Sequence, residues 1–130
     1  MRLLTALLTF ALFGVCLAAK QSPDAMSADK EPVYQGKTLG HWIALARNKA
    51  PALRLEAVSA LRNIGPKAVP ALAELLKDKD RQIRQAAASA LGEIGFDANP
   101  AVPTLIELLR DEEKEVRQAA VSALGKVHSR

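Results

Sequence analysis

The chain has 130 residues, enough for one domain, and 49% of them are hydrophobic and 25% charged. Those proportions exclude both a wholly disordered chain and a fibrous repeat. Aromatic residues make up 4% while Ala and Leu dominate, and the net charge is only +4. This is poor material for a β-sandwich, good material for helices packed through small side chains, and too slight a surplus to imply a polyanionic partner.

Met1 and Arg2 precede Leu3–Ala19, seventeen residues without a formal charge that end in Leu17, Ala18 and Ala19 before Lys20. A short basic start, an apolar run and small residues at its end are the layout of a secretory signal peptide, here residues 1–19. The run falls slightly short of the ~20 residues that span a bilayer. Cleavage after Ala18 or after Ala19 fits equally, and the product would be periplasmic or secreted. An uncleaved leader would instead anchor the chain at a membrane, the one circumstance in which a membrane enters. Cys16 follows Phe13-Gly14-Val15, a loose match to a lipobox because Val15 stands where a small residue is expected. Cys16 leaves with the leader, so the mature chain is expected to hold no disulfide, no Cys-ligated metal and no Cys nucleophile. Residues 20–33 turn polar, with two prolines and no apolar periodicity, and read as a flexible linker.

From residue 34 the sequence repeats. Val69-Pro70-Ala71-Leu72-Ala73-Glu74-Leu75-Leu76-Lys77-Asp78 superposes on Val102–Asp111 with an offset of 33, and Arg84–Gly92 superposes on Arg117–Gly125. A more diverged copy lies 30 residues upstream, with Leu39, Trp42, Leu45, Arg54, Ala57, Ala60, Leu61 and Ile64 under Val69, Leu72, Leu75, Arg84, Ala87, Ala90, Leu91 and Ile94. The three extra residues fall in the loop 96–99, where stacked helices tolerate insertion. Repeats of about 38–65, 66–98 and 99–130 result, within a domain of 34–130.

Each copy reads as two helices. Val69, Leu72, Ala73 and Leu76 form an i, i+3, i+4, i+7 stripe, and Ile83, Ala86, Ala87, Ala90, Leu91 and Ile94 form a second. Pro51, Pro70 and Pro103 suit first turns, where a missing N–H costs nothing. Thr38 and Asp80 suit N-caps, and Gly65 and Gly95 suit left-handed C-caps. Trp42, in register with Leu72 and Leu105, is expected in the core.

The run Val-Pro-x-Leu-x-x-Leu-Leu-x-Asp followed by Val/Ile-Arg-x-x-Ala-x-x-Ala-Leu-Gly-x-Ile-Gly resembles HEAT-like repeats of the short type also found in phycobilin lyases. The resemblance covers about residues 39–128. The lead-in Tyr34–Trp42 is similar to a segment that precedes such arrays in some exported bacterial proteins. Repeat one departs from the pattern at Asn48, where an Asp is usual, and at Arg62, where a Gly is usual; repeat three ends in Val127-His128 without the final Gly. The resemblance implies an all-α fold, an α-solenoid of three HEAT-like helix pairs in a right-handed superhelical stack. It implies a non-enzymatic scaffold that binds a protein partner, the partner's identity being unknown. The alternative is an enzyme accessory or a lyase-like HEAT-repeat protein, but fold alone does not give function.

No catalytic, cofactor or metal residue is assigned. Gly36-Lys37-Thr38 would close a phosphate-binding loop only with a Gly where Glu31 stands and a strand before it. His41 and His128 lie at opposite ends of the array and cannot share a metal. Ser59, Ser89 and Ser122 recur at one helical position, which marks them as structural rather than as members of a triad. Asp78, Asp80, Asp111, Glu112 and Glu113 read as helix-start charge that complements the macrodipole and pairs with Arg84 and Arg117; a stacked ladder of Asp78 and Asp111 against Arg54, Arg84 and Arg117 would contribute more where its members are partly buried. Lys77, Lys79, Arg81, Arg110 and Lys114 alternate with these acids, so no nucleic-acid partner is expected.

One feature does point outward. A terminal solenoid repeat usually turns polar on its outer face, yet Val102, Leu105, Leu108, Leu109, Val116, Ala119, Ala120, Ala123, Leu124 and Val127 keep the apolar stripes of repeat two, and two positions enlarge, Ala73 to Ile106 and Ala88 to Val121. Repeat one carries Ile43 and Val58 at those two sites, so large–small–large packing about the middle repeat is a competing account of them, but it leaves the rest of the face unexplained. Ile106, Leu109, Val121 and Leu124 are therefore the candidate binding face, an apolar patch for self-association through the C-terminal repeat or for a partner.

Overall fold

The apolar stripes fold as three successive helix pairs: α1 (Leu39–Ala46) with α2 (Pro51–Ile64), α3 (Val69–Leu75) with α4 (Arg81–Ile94), and α5 (Val102–Glu107) with α6 (Lys114–His128). The computed structural model describes residues 31–129, so the expected leader, Cys16 and the linker up to residue 30 lie outside the described residues. The array is an all-α solenoid with one small addition. A two-stranded antiparallel hairpin, β1 (Val33–Tyr34) and β2 (Lys37–Thr38), leads into α1.

The caps follow from residue chemistry. Pro51, Pro70 and Pro103 stand in first turns. The Thr38 hydroxyl accepts from the His41 N–H at 3.3 Å, and the Asp80 carboxylate accepts from the Gln82 N–H at 2.8 Å. Gly65 and Gly95 do end α2 and α4 at positive φ, but not in the left-handed helical region expected for them. Their angles, φ 92° with ψ −139° and φ 79° with ψ −138°, lie near an extended region that only glycine occupies without strain. That turn leads directly into the 3₁₀ segments Pro66–Ala68 and Gly95–Ala101, and the longer of the two absorbs the insertion.

The hairpin is a feature that the sequence reading does not contain: Val33 falls at the end of the expected linker, and Tyr34–Thr38 reads there as a lead-in whose Thr38 caps the first helix. Gln35 and Gly36 have φ of 52° and 75°. Positive φ at both central residues makes a two-residue turn whose twist suits antiparallel strands. Gly36 supplies the turn, Lys37 the strand and Thr38 the helix cap.

One core runs through all three repeats, with Leu61, Leu72, Leu91 and Leu105 fully buried. Trp42 is 1% exposed. Its Nε1 donates to the Tyr34 carbonyl at 3.2 Å, the Tyr34 ring lies 6.1 Å away, and Lys37 Nζ sits 5.3 Å above its face. Trp42 thus ties the hairpin to the first repeat. The exposed His41 ring meets its edge at 5.4 Å, while His128 bonds the Leu124 carbonyl at the far end.

Packing between second helices is closest at α4 and α6. A Cβ built on Gly92 would lie 3.0 Å from Ala123 Cα, whereas one on Gly125, the equivalent glycine of repeat three, meets nothing within 4 Å. Trp42→Ala should cost about 3–5 kcal/mol in chemical denaturation; unchanged stability would remove Trp42 from the core. Gly125→Ala should gain roughly 0.5–1 kcal/mol of helix propensity. Gly92→Ala should be less stable than Gly125→Ala, because α6 must move to admit the new methyl.

Candidate protein-docking face

Each inter-helix turn is built the same way. The side-chain oxygen of its first polar residue accepts from the N–H two residues on: Asn48 from Ala50 at 2.9 Å, Asp78 from Asp80 at 2.8 Å and Asp111 from Glu113 at 2.9 Å. The conserved geometry is that of an Asx turn, which Asn and Asp close equally well. An arginine on the second helix then reaches back to the turn carbonyls of its own repeat. Arg54 donates to Asn48 and Lys49 at 2.8 and 2.9 Å, Arg84 to Asp78 and Lys79 at 2.8 and 3.1 Å, and Arg117 to Asp111 at 2.6 Å.

The expected ladder of Asp78 and Asp111 against the arginines is present and buried, and its register is from one repeat to the next: each aspartate is paired with the arginine of the repeat before it. Arg84 grips Asp111 with two parallel bonds, Nε to Oδ2 at 2.8 Å and Nη2 to Oδ1 at 3.2 Å. Arg54 Nε lies 2.9 Å from Asp78 Oδ2 but out of line for a hydrogen bond, and the bond runs from Nη2 to Oδ1 at 3.3 Å. These pairs are about nine-tenths removed from solvent. They differ in kind from the exposed Arg47–Glu74 and Arg62–Glu93 pairs, which contribute little.

Burial alone would raise the Asp111 pKa. The Glu113 N–H, the Arg84 hydrogen bond and the charges of Arg84 and Arg117 outweigh it and hold the carboxyl below the usual range. A carboxyl depressed in the folded state contributes stability that is complete above its unfolded pKa of about 3.9 and is lost as pH falls through the lower folded value.

The face turned away from repeat two is where the third repeat differs from the others. Positions 76, 88 and 91 of repeat two are 0% exposed, and their repeat-one counterparts Ala46, Val58 and Leu61 are also buried. Val58 shares a groove with Ala86 and Ala90 of the next repeat. The same positions in repeat three are Leu109, Val121 and Leu124, of which Leu109 is 37% and Val121 62% exposed. Ile106 is 52% exposed, where Ala73 and Ile43 are half-buried. Three of the four candidate residues thus point to solvent, and Leu124 is half-buried against the core. Beside Val121, a shallow apolar groove of about 510 Å³ runs past Lys114, Arg117, Gln118 and Ser122.

The ridge of inter-helix turns carries no face of one charge. Lys77 and Lys79 line its groove together with Asp78, Glu107, Asp111 and Glu112. Among the described residues, no group of three or more His, Cys, Asp or Glu could hold a metal, and no helix is long and apolar enough to cross a membrane. What the sequence did not separate is Arg117 from Arg54 and Arg84: among the described residues those two form a salt bridge and Arg117 does not.

The family profile for HEAT repeats matches residues 40–125. The chain belongs to the HEAT-repeat family. It is also similar to the crystal structure of an engineered protein, with a TM-score of 0.52 and 28% identity over 66% of this chain. The chain spans 43% of that engineered protein's length. No curated protein matches the sequence. HEAT repeats generally mediate protein–protein interaction, and the family is typically a non-catalytic scaffold.

The ion-pair register is checked by a double-mutant cycle. Arg84 and Asp111 should couple by about 1–3 kcal/mol, and Arg84 and the Asp78 side chain by clearly less. Asp111→Asn should also flatten the loss of stability below about pH 4.

Proposed function

We propose that this chain is a non-enzymatic protein-interaction module that works outside the cytoplasm, delivered there by the apolar leader at residues 1–19. The observation that carries the binding role is the exposure of Ile106, Leu109 and Val121 at positions the inner repeats bury or half-bury. Fully burying an exposed side chain of this kind gains ~1.5–3 kcal/mol; these three are already partly covered, so a partner that covers them gains a fraction of that at each. The family's usual role supports the same reading. The layout of Met1–Ala19, with a basic start and small residues before Lys20, supports export.

Two measurements test this. The intact mass of the exported product should correspond to a start at Ala19 or Lys20, and a mass retaining residues 1–18 would replace export with anchoring. Photo-crosslinking in the producing cell should yield a discrete partner adduct that Val121→Lys abolishes. Adducts unchanged by Val121→Lys would remove this face from binding.

A further inference from the structure

Arg54 and Arg84 each do two things at once: they satisfy the carbonyls of their own turn and clamp the aspartate of the next repeat. Arg117 does only the first. Its Nη1 donates to the Asp111 carbonyl, and among the described residues no carboxylate forms a salt bridge with it. Lys114 repeats the pattern, since its counterpart Arg81 pairs with Glu113 of the following repeat at 3.4 Å. Gly125 repeats it a third time. Its counterpart Gly92 seats Ala123 of the next helix, while the space over Gly125 is open. Cations, the helix seat and the apolar positions are all those of a repeat–repeat junction with one side absent from the described residues.

From this we propose that the outer face of repeat three receives one more HEAT-like helix pair, supplied by a partner chain, whose inter-helix turn carries an aspartate for Arg117 and a second acid for Lys114. The proposal rests on the protein-binding reading above and names its partner's chemistry. Charge complementarity disfavours a second copy docked head to tail. The corresponding turn of repeat one offers Asn48, which closes the same turn through Oδ1 but brings no charge, and its counterpart of Asp80 is Ala50. Repeat two fits better: it carries Asp78 and Asp80, and it already packs beside Val58, the counterpart of Val121.

The test extends the full chain after Arg130 with a copy of residues 66–98 and compares its melting temperature with that of the unextended chain. The extension should raise it by roughly 5 °C or more. Arg117→Gln, or Asn in place of the aspartate corresponding to Asp78 in the added copy, should each remove most of that gain, and the two together should remove little more. No gain, or a gain indifferent to Arg117, would overturn the proposal. In the crosslinking experiment, Arg117→Gln should weaken the adduct at least tenfold. Loss with Val121→Lys but none with Arg117→Gln would keep the binding face and discard the aspartate-bearing repeat. Sedimentation of the full chain alone covers the remaining occupant: a dimer lost with Val121→Lys and kept with Arg117→Gln would assign the face to a second copy and overturn the proposal.

Discussion

A buried guanidinium joins each repeat of this array to the one after it. An arginine cannot be left without partners in an apolar junction, because stripping a charge of water costs several kcal/mol unless its donors are satisfied. Arg84 meets that demand with two turn carbonyls on its own repeat and a two-pronged grip on Asp111 of the next. The same atoms therefore fix the shape of one turn and the position of the following one. Leucines and alanines supply the bulk of the burial, but they are non-directional. The arginine sets the register in which they meet.

The Asx turn and the ion pair are separable duties of one residue. Asn48, Asp78 and Asp111 all close the turn through a side-chain oxygen, and an amide does this as well as a carboxylate. Charge is present at the two positions that have an arginine behind them and absent at the one that does not. Small residues serve the same division of labour. Gly92 lets α6 approach α4 until Ala123 sits against its backbone, whereas at the first junction Arg62 occupies the equivalent position and bridges to Glu93 instead.

Much of this was legible in the sequence, for physical reasons that differ by element. The six helices follow from a 3.6-residue period sustained in three superposable copies, and their starts from prolines, Thr38 and Asp80 that leave few other conformations. The apolar outer face was legible because Ile106 and Val121 enlarge positions where a terminal repeat would ordinarily turn polar. The hairpin escaped because two-residue strands carry almost no periodicity, although Gln35-Gly36 between Val33-Tyr34 and Lys37-Thr38 is a turn signal. Which arginine of the ladder each aspartate takes is hidden for a different reason. Arg84 does touch the turn at 78 and 79, but through carbonyls, which no side-chain pattern reports, while its carboxylate partner is 27 residues away.

The account makes the outer side of repeat three a junction open to solvent, and side-chain footprinting with a photoactivated carbene reads that directly. In the dilute full-length chain, Ile106, Leu109 and Val121 should be labelled strongly while Leu76, Ala88 and Leu91, their buried counterparts or neighbours in repeat two, stay unlabelled. Protection of Ile106 and Val121 equal to that of Leu76 and Ala88 would mean that the chain covers its own last face, and would contradict the account.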